Sequence, residues 1–121
     1  MEGADVSEAD EQKAVVEWCE WKRIPVYHIP NEAQRSPRTA AHLKKMGMRP
    51  GVPDLCIPVA RGGKHGLYVE MKAGSNKPSD NQLRWLSILE EQGYEATVCW
   101  GADEAIAAIE AYMAAGVTRS A

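Results

Sequence analysis

The chain has 121 residues, of which 45% are hydrophobic and 26% are charged, and its formal net charge is −3. This composition is typical of a soluble globular protein, and the length predicts a single domain over residues 1–121 with a core over about 7–115. No apolar run is long enough to span a membrane, and the acidic start is the opposite of a secretory signal peptide. We therefore expect a cytoplasmic protein without a membrane segment.

The three cysteines indicate a reducing compartment rather than a disulfide framework or a zinc site. Cys19, Cys56 and Cys99 are far apart, odd in number and set among apolar residues. Structural zinc sites use paired Cys-x-x-Cys or mixed Cys/His clusters, which this sequence lacks. Buried free thiols are the expected outcome.

Charge is segregated along the chain. Residues 1–11 carry five acids and no base, whereas residues 35–49 carry five bases and no acid. Such segregation predicts one local basic surface on an otherwise acidic protein. Taken alone, the basic run is explained equally well as a solvated loop and helix face.

In chain order the sequence predicts helix, strand, short helix, two strands, helix, strand and helix. Ser7 is the expected cap of the first helix, which should end before Pro25. Ser79 and Gln82 form the sequence pattern of a capping box. The later predicted elements are a strand over 26–29, a helix over Thr39–Met46, strands over Leu55–Val59 and Leu67–Ala73, a helix over Gln82–Gln92, a strand over Ala96–Trp100 and a helix over Asp103–Ala115. This order predicts an α/β fold with a mixed central sheet flanked by helices.

The pair of strands after Pro53 holds the residues with the clearest chemical potential. Because side chains alternate along a strand, Glu70 and Lys72 should share one face, roughly 7 Å apart. If the preceding strand pairs antiparallel with theirs, Asp54 can approach the same edge. Two carboxylates and an ammonium group at one place can hold a divalent cation and act on a water beside it.

The spacing of Asp54, Glu70 and Lys72 resembles the PD-(D/E)XK nuclease superfamily, and the flanking residues resemble the virus-type replication-repair nuclease (VRR-NUC) family. The resemblance runs from about residue 7 to residue 112. The matching stretches are Ser7-Glu8 with Gln12, Ile29-Pro30-Asn31 with Arg35, Met46-Gly47 with Pro50-Gly51-Val52-Pro53-Asp54-Leu55, Glu70-Met71-Lys72-Ala73, Ser79 with Gln82, and Gly93-Tyr94. Individually these motifs are weak, but the ordered set is specific.

The resemblance implies phosphodiester hydrolysis that depends on Mg²⁺ or Mn²⁺. Asp54 and Glu70 would be the carboxylate ligands, and the family implies the backbone carbonyl of Met71 as a third ligand. Lys72 would orient the attacking water or stabilise the developing charge. Asp54 could alternatively cap its turn, and Glu70 could simply pair with Lys72 on a solvated strand.

Three more residues are candidates for the catalytic site, each with a structural alternative. Glu8 and Glu11 on the first helix could each reach the metal or its water shell, or each could be a favourable acid at a helix N-terminus. Gln82 matches a family glutamine near the active site, but its place in the capping box also explains it fully.

The candidate residues for nucleic-acid binding come from the resemblance and from the basic run. Asn31 and Arg35 would hold a substrate phosphate or brace the site, although turn chemistry also explains Asn31. The basic run adds four candidates for phosphate contacts, namely Arg38, Lys44, Lys45 and Arg49.

We therefore expect a metal-dependent DNA endonuclease, encoded by a phage or prophage and acting in a bacterial cell. Resemblance to Holliday-junction resolvases predicts a homodimer that cuts branched DNA. Trp18 and Trp21, together with the Ala-rich last helix, offer apolar surface for that dimer. The alternatives are a non-catalytic DNA-binding or assembly module of the same fold, and a restriction-type duplex endonuclease.

Overall fold

The computed structural model describes residues 7–30 and 36–117, which form four helices and four strands. In chain order these are α1 Glu8–Trp21, β1 Tyr27–His28, α2 Pro37–Lys45, β2 Leu55–Ile57, β3 Leu67–Lys72, α3 Asp80–Glu91, β4 Glu95–Trp100 and α4 Gly101–Ala114. The predicted alternation of helices and strands is confirmed. No helix within the described ranges is long and apolar enough to cross a membrane.

The strands form one mixed sheet in the order β1-β2-β3-β4. The β1–β2 and β2–β3 pairs are antiparallel, and β3 pairs with β4 in parallel through the crossover helix α3. This arrangement confirms the predicted mixed α/β fold, including the antiparallel pairing on which the approach of Asp54 depended.

The hydrophobic core lies between one face of the sheet and the pair α1 and α4. Val69 and Met71 of β3 point into it and are fully buried, as are Val15 of α1 and Ile109 of α4. The opposite sheet face carries Tyr68, Glu70 and Lys72 and is covered in part by α3, which buries Leu89 there. The two faces of β3 therefore separate the core from the candidate chemistry.

Three helices begin two residues earlier than the sequence predicted, and in two of them a capping serine directly precedes the first helical residue. Ser36 accepts a hydrogen bond from the N–H of Thr39, so α2 begins at Pro37. A proline in the first turn costs nothing there, since its missing N–H would have had no helical partner. In the same way α3 begins at Asp80 behind Ser79, whereas α4 begins at Gly101 without a side-chain cap.

The missing N–H of Pro58 indicates that the strand predicted over Leu55–Val59 ends or bulges at this proline, and β2 does end at Ile57, directly before it. Each bound of the other strands differs from the predicted bound by no more than one residue.

The turn before β2 is packed tightly against the start of α3. Gly51 has a φ of +95°, a conformation that side chains with a Cβ rarely adopt. A Cβ at this position would lie 2.6 Å from the carbonyl carbon of Asn81. Only glycine fits, and the resulting contact fixes the approach of Pro53 and Asp54 to the sheet.

All three cysteines are buried free thiols, as predicted. Burial raises the pKa of Cys19 and of Cys99 to about 11, so both remain protonated at neutral pH.

Candidate active site

The antiparallel register of β2 and β3 brings Asp54 beside Glu70. Leu55 lies opposite Val69, so the residue before Leu55 lies opposite the residue after Val69. Asp54 directly precedes β2. Its side chain replaces a further backbone acceptor of the ladder, because the N–H of Met71 donates a hydrogen bond of 2.7 Å to Asp54 Oδ2. This bond holds the carboxylate at the open end of the β2–β3 ladder.

The backbone carbonyl of Met71 is directed toward the same side as Asp54. Along a strand, the N–H and C=O of one residue point to the same neighbour, and successive residues alternate between the two neighbours. Gly66 accepts from the N–H of Glu95 next to β4, so the even-numbered residues of β3 face β4. Met71, an odd-numbered residue, therefore directs its carbonyl toward the Asp54 side.

Glu70 is a buried carboxylate with polar partners on two sides. Its side chain is only 3% exposed, and Lys72 Nζ lies 3.5 Å from its Oε2 atom. The same oxygen accepts a hydrogen bond of 3.0 Å from Gln82 Nε2. A carboxylate buried on a central strand is costly unless it is paired, and these contacts supply the pairing.

Burial, and then the charge of Asp54, raise the pKa of Glu70 from 4.5 to about 8, while Lys72 opposes this shift. Two carboxylates at one place cannot both ionise easily, so in the metal-free protein Glu70 holds a proton at neutral pH. A cation bound by the two carboxylates would replace this proton.

The donor set fits a small divalent cation. Asp54, Glu70 and the Met71 carbonyl offer oxygen ligands at one edge of the sheet, and Mg²⁺ typically needs only one or two carboxylates because it retains several waters. No group of three or more His, Cys, Asp or Glu side chains with metal-binding geometry occurs in the described part of the chain. A donor set made only of oxygen atoms is of the kind that suits a hard, partly hydrated cation.

Gln82 performs both of the roles that the sequence left as alternatives. Its Oε1 accepts from the N–H of Ser79 at 2.8 Å, which completes the capping box at the start of α3. Its Nε2 donates to Glu70. The Gln82 amide thus connects the start of α3 to the buried carboxylate of Glu70.

The two acids of α1 have different surroundings. The Glu11 carboxylate accepts a hydrogen bond from the N–H of Ala102, at the start of α4. Because α4 has no side-chain cap of its own, Glu11 supplies an acceptor for one of its free N–H groups. Glu8 instead accepts a 3.4 Å hydrogen bond from Asn76 Nδ2. Both acids line a cleft of about 640 Å³ beside residues 73–76, which directly follow Lys72.

His28, which was not among the candidates from the sequence, contacts the backbone of Asp54. His28 Nδ1 lies 2.9 Å from the backbone oxygen of Asp54 and 3.1 Å from Gln12 Nε2. A carbonyl oxygen only accepts and an amide nitrogen only donates, so in one tautomer Nδ1 donates to Asp54 and in the other it accepts from Gln12. The antiparallel pairing of β1 with β2 places this ring beside Asp54, and sequence spacing gave no sign of it.

The basic candidates lie on α2 and the turn after it. Arg38, Lys44 and Lys45 are exposed. Arg49 is also exposed, but its Nη1 donates to the carbonyl oxygens of Lys44 and Met48, so it additionally satisfies the C-terminal end of α2. Asn31 and Arg35 lie outside the described residues.

A mixed sheet with paired carboxylates and a lysine at the end of its antiparallel strands defines a nuclease-type α/β domain. The model of the VRR-NUC domain family matches residues 6–103, and the chain belongs to this family. A solved structure titled "VRR_NUC domain protein" is 31% identical and covers 96% of this chain and 98% of that chain, with a TM-score of 0.79. No curated protein matches the chain.

The raised pKa of Glu70 predicts that the metal-free protein loses stability as the pH rises. Between pH 4.5 and about 8 the folded protein keeps a proton that the unfolded chain releases, so the free energy of unfolding falls with pH in this window. Glu70→Gln should flatten this dependence in EDTA and make the protein more stable than wild type at pH 9.

Thermal denaturation from pH 5 to pH 9 measures this effect, with Glu17→Gln on the exposed face of α1 as the matched control. The control should retain the wild-type pH dependence. Equal pH slopes for wild type and Glu70→Gln would show that Glu70 is not the titrating group.

Proposed function

We propose that this protein is an endodeoxyribonuclease that depends on Mg²⁺ or Mn²⁺. The observation that carries the proposal is the pairing of Asp54 with the buried Glu70, next to Lys72 on the same strand. A buried pair of carboxylates destabilises the metal-free fold, and a bound divalent cation would remove that cost. Membership of a nuclease-type family supports the same chemistry.

Asp54, Glu70 and the Met71 carbonyl would hold the cation in this proposal. When bound, the cation makes a neighbouring water more acidic and neutralises charge on the scissile phosphate. Ionised Glu70 and Asp54 are then both required, so Glu70 must release its proton as the cation binds. Cation affinity should accordingly increase with pH up to the pKa of Glu70.

Lys72 would act on the reacting groups from the same strand face. Its side chain is 11% exposed, so its ammonium group works in a desolvated setting where charge interactions are strong. There it orients the attacking water and stabilises the negative charge that develops on the phosphate. Gln82 positions Glu70 through its hydrogen bond and keeps that carboxylate aimed at the cation.

Glu8 is the better candidate of the two α1 acids for a further role at the site. Both acids line the cleft beside the residues that follow Lys72, but Glu11 accepts a hydrogen bond from the N–H of Ala102 at the start of α4, whereas Glu8 has a longer contact of 3.4 Å with Asn76 Nδ2. From there Glu8 could contact a water of the metal shell rather than the metal itself.

DNA is the proposed substrate because basic charge accumulates beside the carboxylates. Residues 36–53 contain Arg38, Lys44, Lys45 and Arg49 and no acid, and they lead directly into Asp54. Basic side chains around a cleavage site hold the phosphate backbone by charge and position it without reading sequence.

We further propose that the protein cuts branched DNA, including four-way junctions, as a homodimer. Trp21 at the end of α1 is 75% exposed, and Lys22 Nζ lies 4.8 Å from the centroid of its ring. Trp18, Ile24 and Met113 line an adjoining cleft between α1 and α4. Large apolar side chains of this kind are enriched at interfaces. Ile109 and Tyr112 of α4 are buried in the core and contribute nothing to such a surface.

Asp54→Asn should abolish cleavage while the protein keeps its fold, because the amide cannot supply the negative charge that holds the cation. The assay incubates purified protein with linear, flap, nicked and four-way DNA, with Mn²⁺ or EDTA, and calorimetry follows Mn²⁺ binding. Asp103→Asn, which changes an exposed aspartate in the first turn of α4, is the matched control.

The control should cleave at the wild-type rate and bind Mn²⁺ normally. Near-normal cleavage by Asp54→Asn would refute the site. Preference for linear duplex would favour a restriction-type enzyme, and DNA binding without any cleavage would favour a non-catalytic module.

Sedimentation equilibrium at micromolar protein should give twice the chain mass of 13.3 kDa. Trp21→Glu should shift the protein toward the monomer, because it places a charge on the proposed apolar interface, whereas Lys13→Glu on an exposed position of the same helix should not. A monomeric wild type would refute the dimer and leave the nuclease proposal standing.

A further inference from the structure

A groove of about 600 Å³ lies beside the candidate active site, between α2 and α3 and over the open face of the sheet. Tyr27, Tyr68 and Trp85 supply aromatic side chains to its lining. Leu43, Met46 and Leu89 supply aliphatic ones. None of the residues that line it is acidic, and its volume is in the range of small-molecule sites.

Each wall of this groove is adjacent to a residue of the candidate active site. Tyr68 precedes Glu70 by two positions on β3, so the two side chains share a face and stand roughly 7 Å apart. On α3, Trp85 lies about one helical turn after Gln82. A group held in the groove would therefore lie next to the phosphate that is being cut.

A second cleft of about 300 Å³ continues from the groove and is basic. Arg49 and Trp85 line both cavities, and the second adds Arg84 and Asn81. The hydrogen bonds from Arg49 to the end of α2 fix the position of its guanidinium group. An aromatic groove thus opens beside two arginines. Residues 36–53, which include α2 and part of the groove lining, contain no acidic residue.

We propose that this groove receives an unpaired base of the DNA substrate, with the adjoining phosphate held by Arg49 and Arg84. Aromatic side chains stack on the faces of unpaired bases irrespective of sequence, and arginine complements the phosphate. An apolar protein segment would fill the groove but would leave the surrounding positive charge without a partner. The charge complementarity therefore selects a nucleotide.

The inference rests on the proposed function and narrows its substrate class. The preferred DNA has a nucleotide free of its partner strand, as at a bulge, a gap or the open centre of a junction. Fully paired duplex has no base available for the groove, because extruding one costs unpairing and unstacking free energy.

The test measures binding in EDTA, where cleavage cannot contribute. Two duplexes of equal length are compared by fluorescence anisotropy, one fully paired and one with a single bulged 2-aminopurine. Wild type should prefer the bulged duplex and should quench the fluorescence of the bulged base by stacking. Trp85→Leu should weaken bulged binding about tenfold, change paired binding little and abolish the quenching.

Trp85→Phe is the matched variant, since it retains a ring and should retain most of the preference and the quenching. Because Trp85→Leu also changes the packing of α3, Tyr27→Leu and Tyr27→Phe repeat the comparison at a side chain that is 51% exposed. Reversing the charge of Lys44 and Lys45 should instead weaken both duplexes by the same factor and reduce the logarithmic salt slope by about 0.9 per lost phosphate contact.

Equal wild-type binding to the two duplexes, or equal weakening of both by Trp85→Leu, would overturn the inference even if Mn²⁺-dependent cleavage is observed. A shift in sedimentation mass on Met46→Glu with unchanged DNA affinity would assign the groove to a second copy of the chain and would also overturn it. Bulge-selective binding without cleavage in Mn²⁺ would support the groove and refute the proposed nuclease activity.

Discussion

The burial of Glu70 beside Asp54 is the constraint on which the rest of the structure depends. A carboxylate on the central strand of a small sheet is unfavourable, and a second carboxylate opposite it makes the pair more so. Several otherwise unrelated features reduce this cost. Lys72 supplies a positive charge from the same strand, Gln82 supplies a hydrogen bond from α3, and the N–H of Met71 binds Asp54. Together these contacts lower the electrostatic cost of placing two carboxylates at one edge of the sheet.

The same constraint explains why the surrounding elements meet where they do. Gly51 allows the turn before Asp54 to contact the first turn of α3 closely, and that same turn of α3 presents Gln82 to Glu70. From the other side of the sheet, α1 contributes Gln12 behind His28, which contacts the backbone of Asp54. Helices α1 and α3 and strands β1, β2 and β3 therefore converge on one pair of carboxylates. Glu70 lies within β3, and Asp54 directly precedes β2 and is held by its hydrogen bond with the N–H of Met71.

Much of the fold and the centre of the site could be predicted from local sequence. Alternation along β3 placed Glu70 and Lys72 on one face, and cap residues located the helices to within two residues. What sequence could not supply were contacts between distant elements. The different partners of Glu8 and Glu11 depend on how α1 packs against the start of α4, and the contact of His28 with the Asp54 backbone depends on the β1–β2 register. Gln82 was ambiguous because one amide satisfies two partners, which spacing within a single helix cannot indicate.

The central claim is that Asp54, Glu70 and the Met71 carbonyl hold one divalent cation, and the most direct measurement is anomalous diffraction from crystals soaked in Mn²⁺. The anomalous signal locates manganese without reference to activity or to the DNA substrate. We predict one strong peak within direct-ligand distance of both carboxylates and of the Met71 carbonyl oxygen, with waters completing the shell. We also predict that the peak disappears in crystals of Asp54→Asn. A fully soaked wild-type crystal with no manganese at this edge of the sheet would contradict the claim, as would manganese bound only elsewhere.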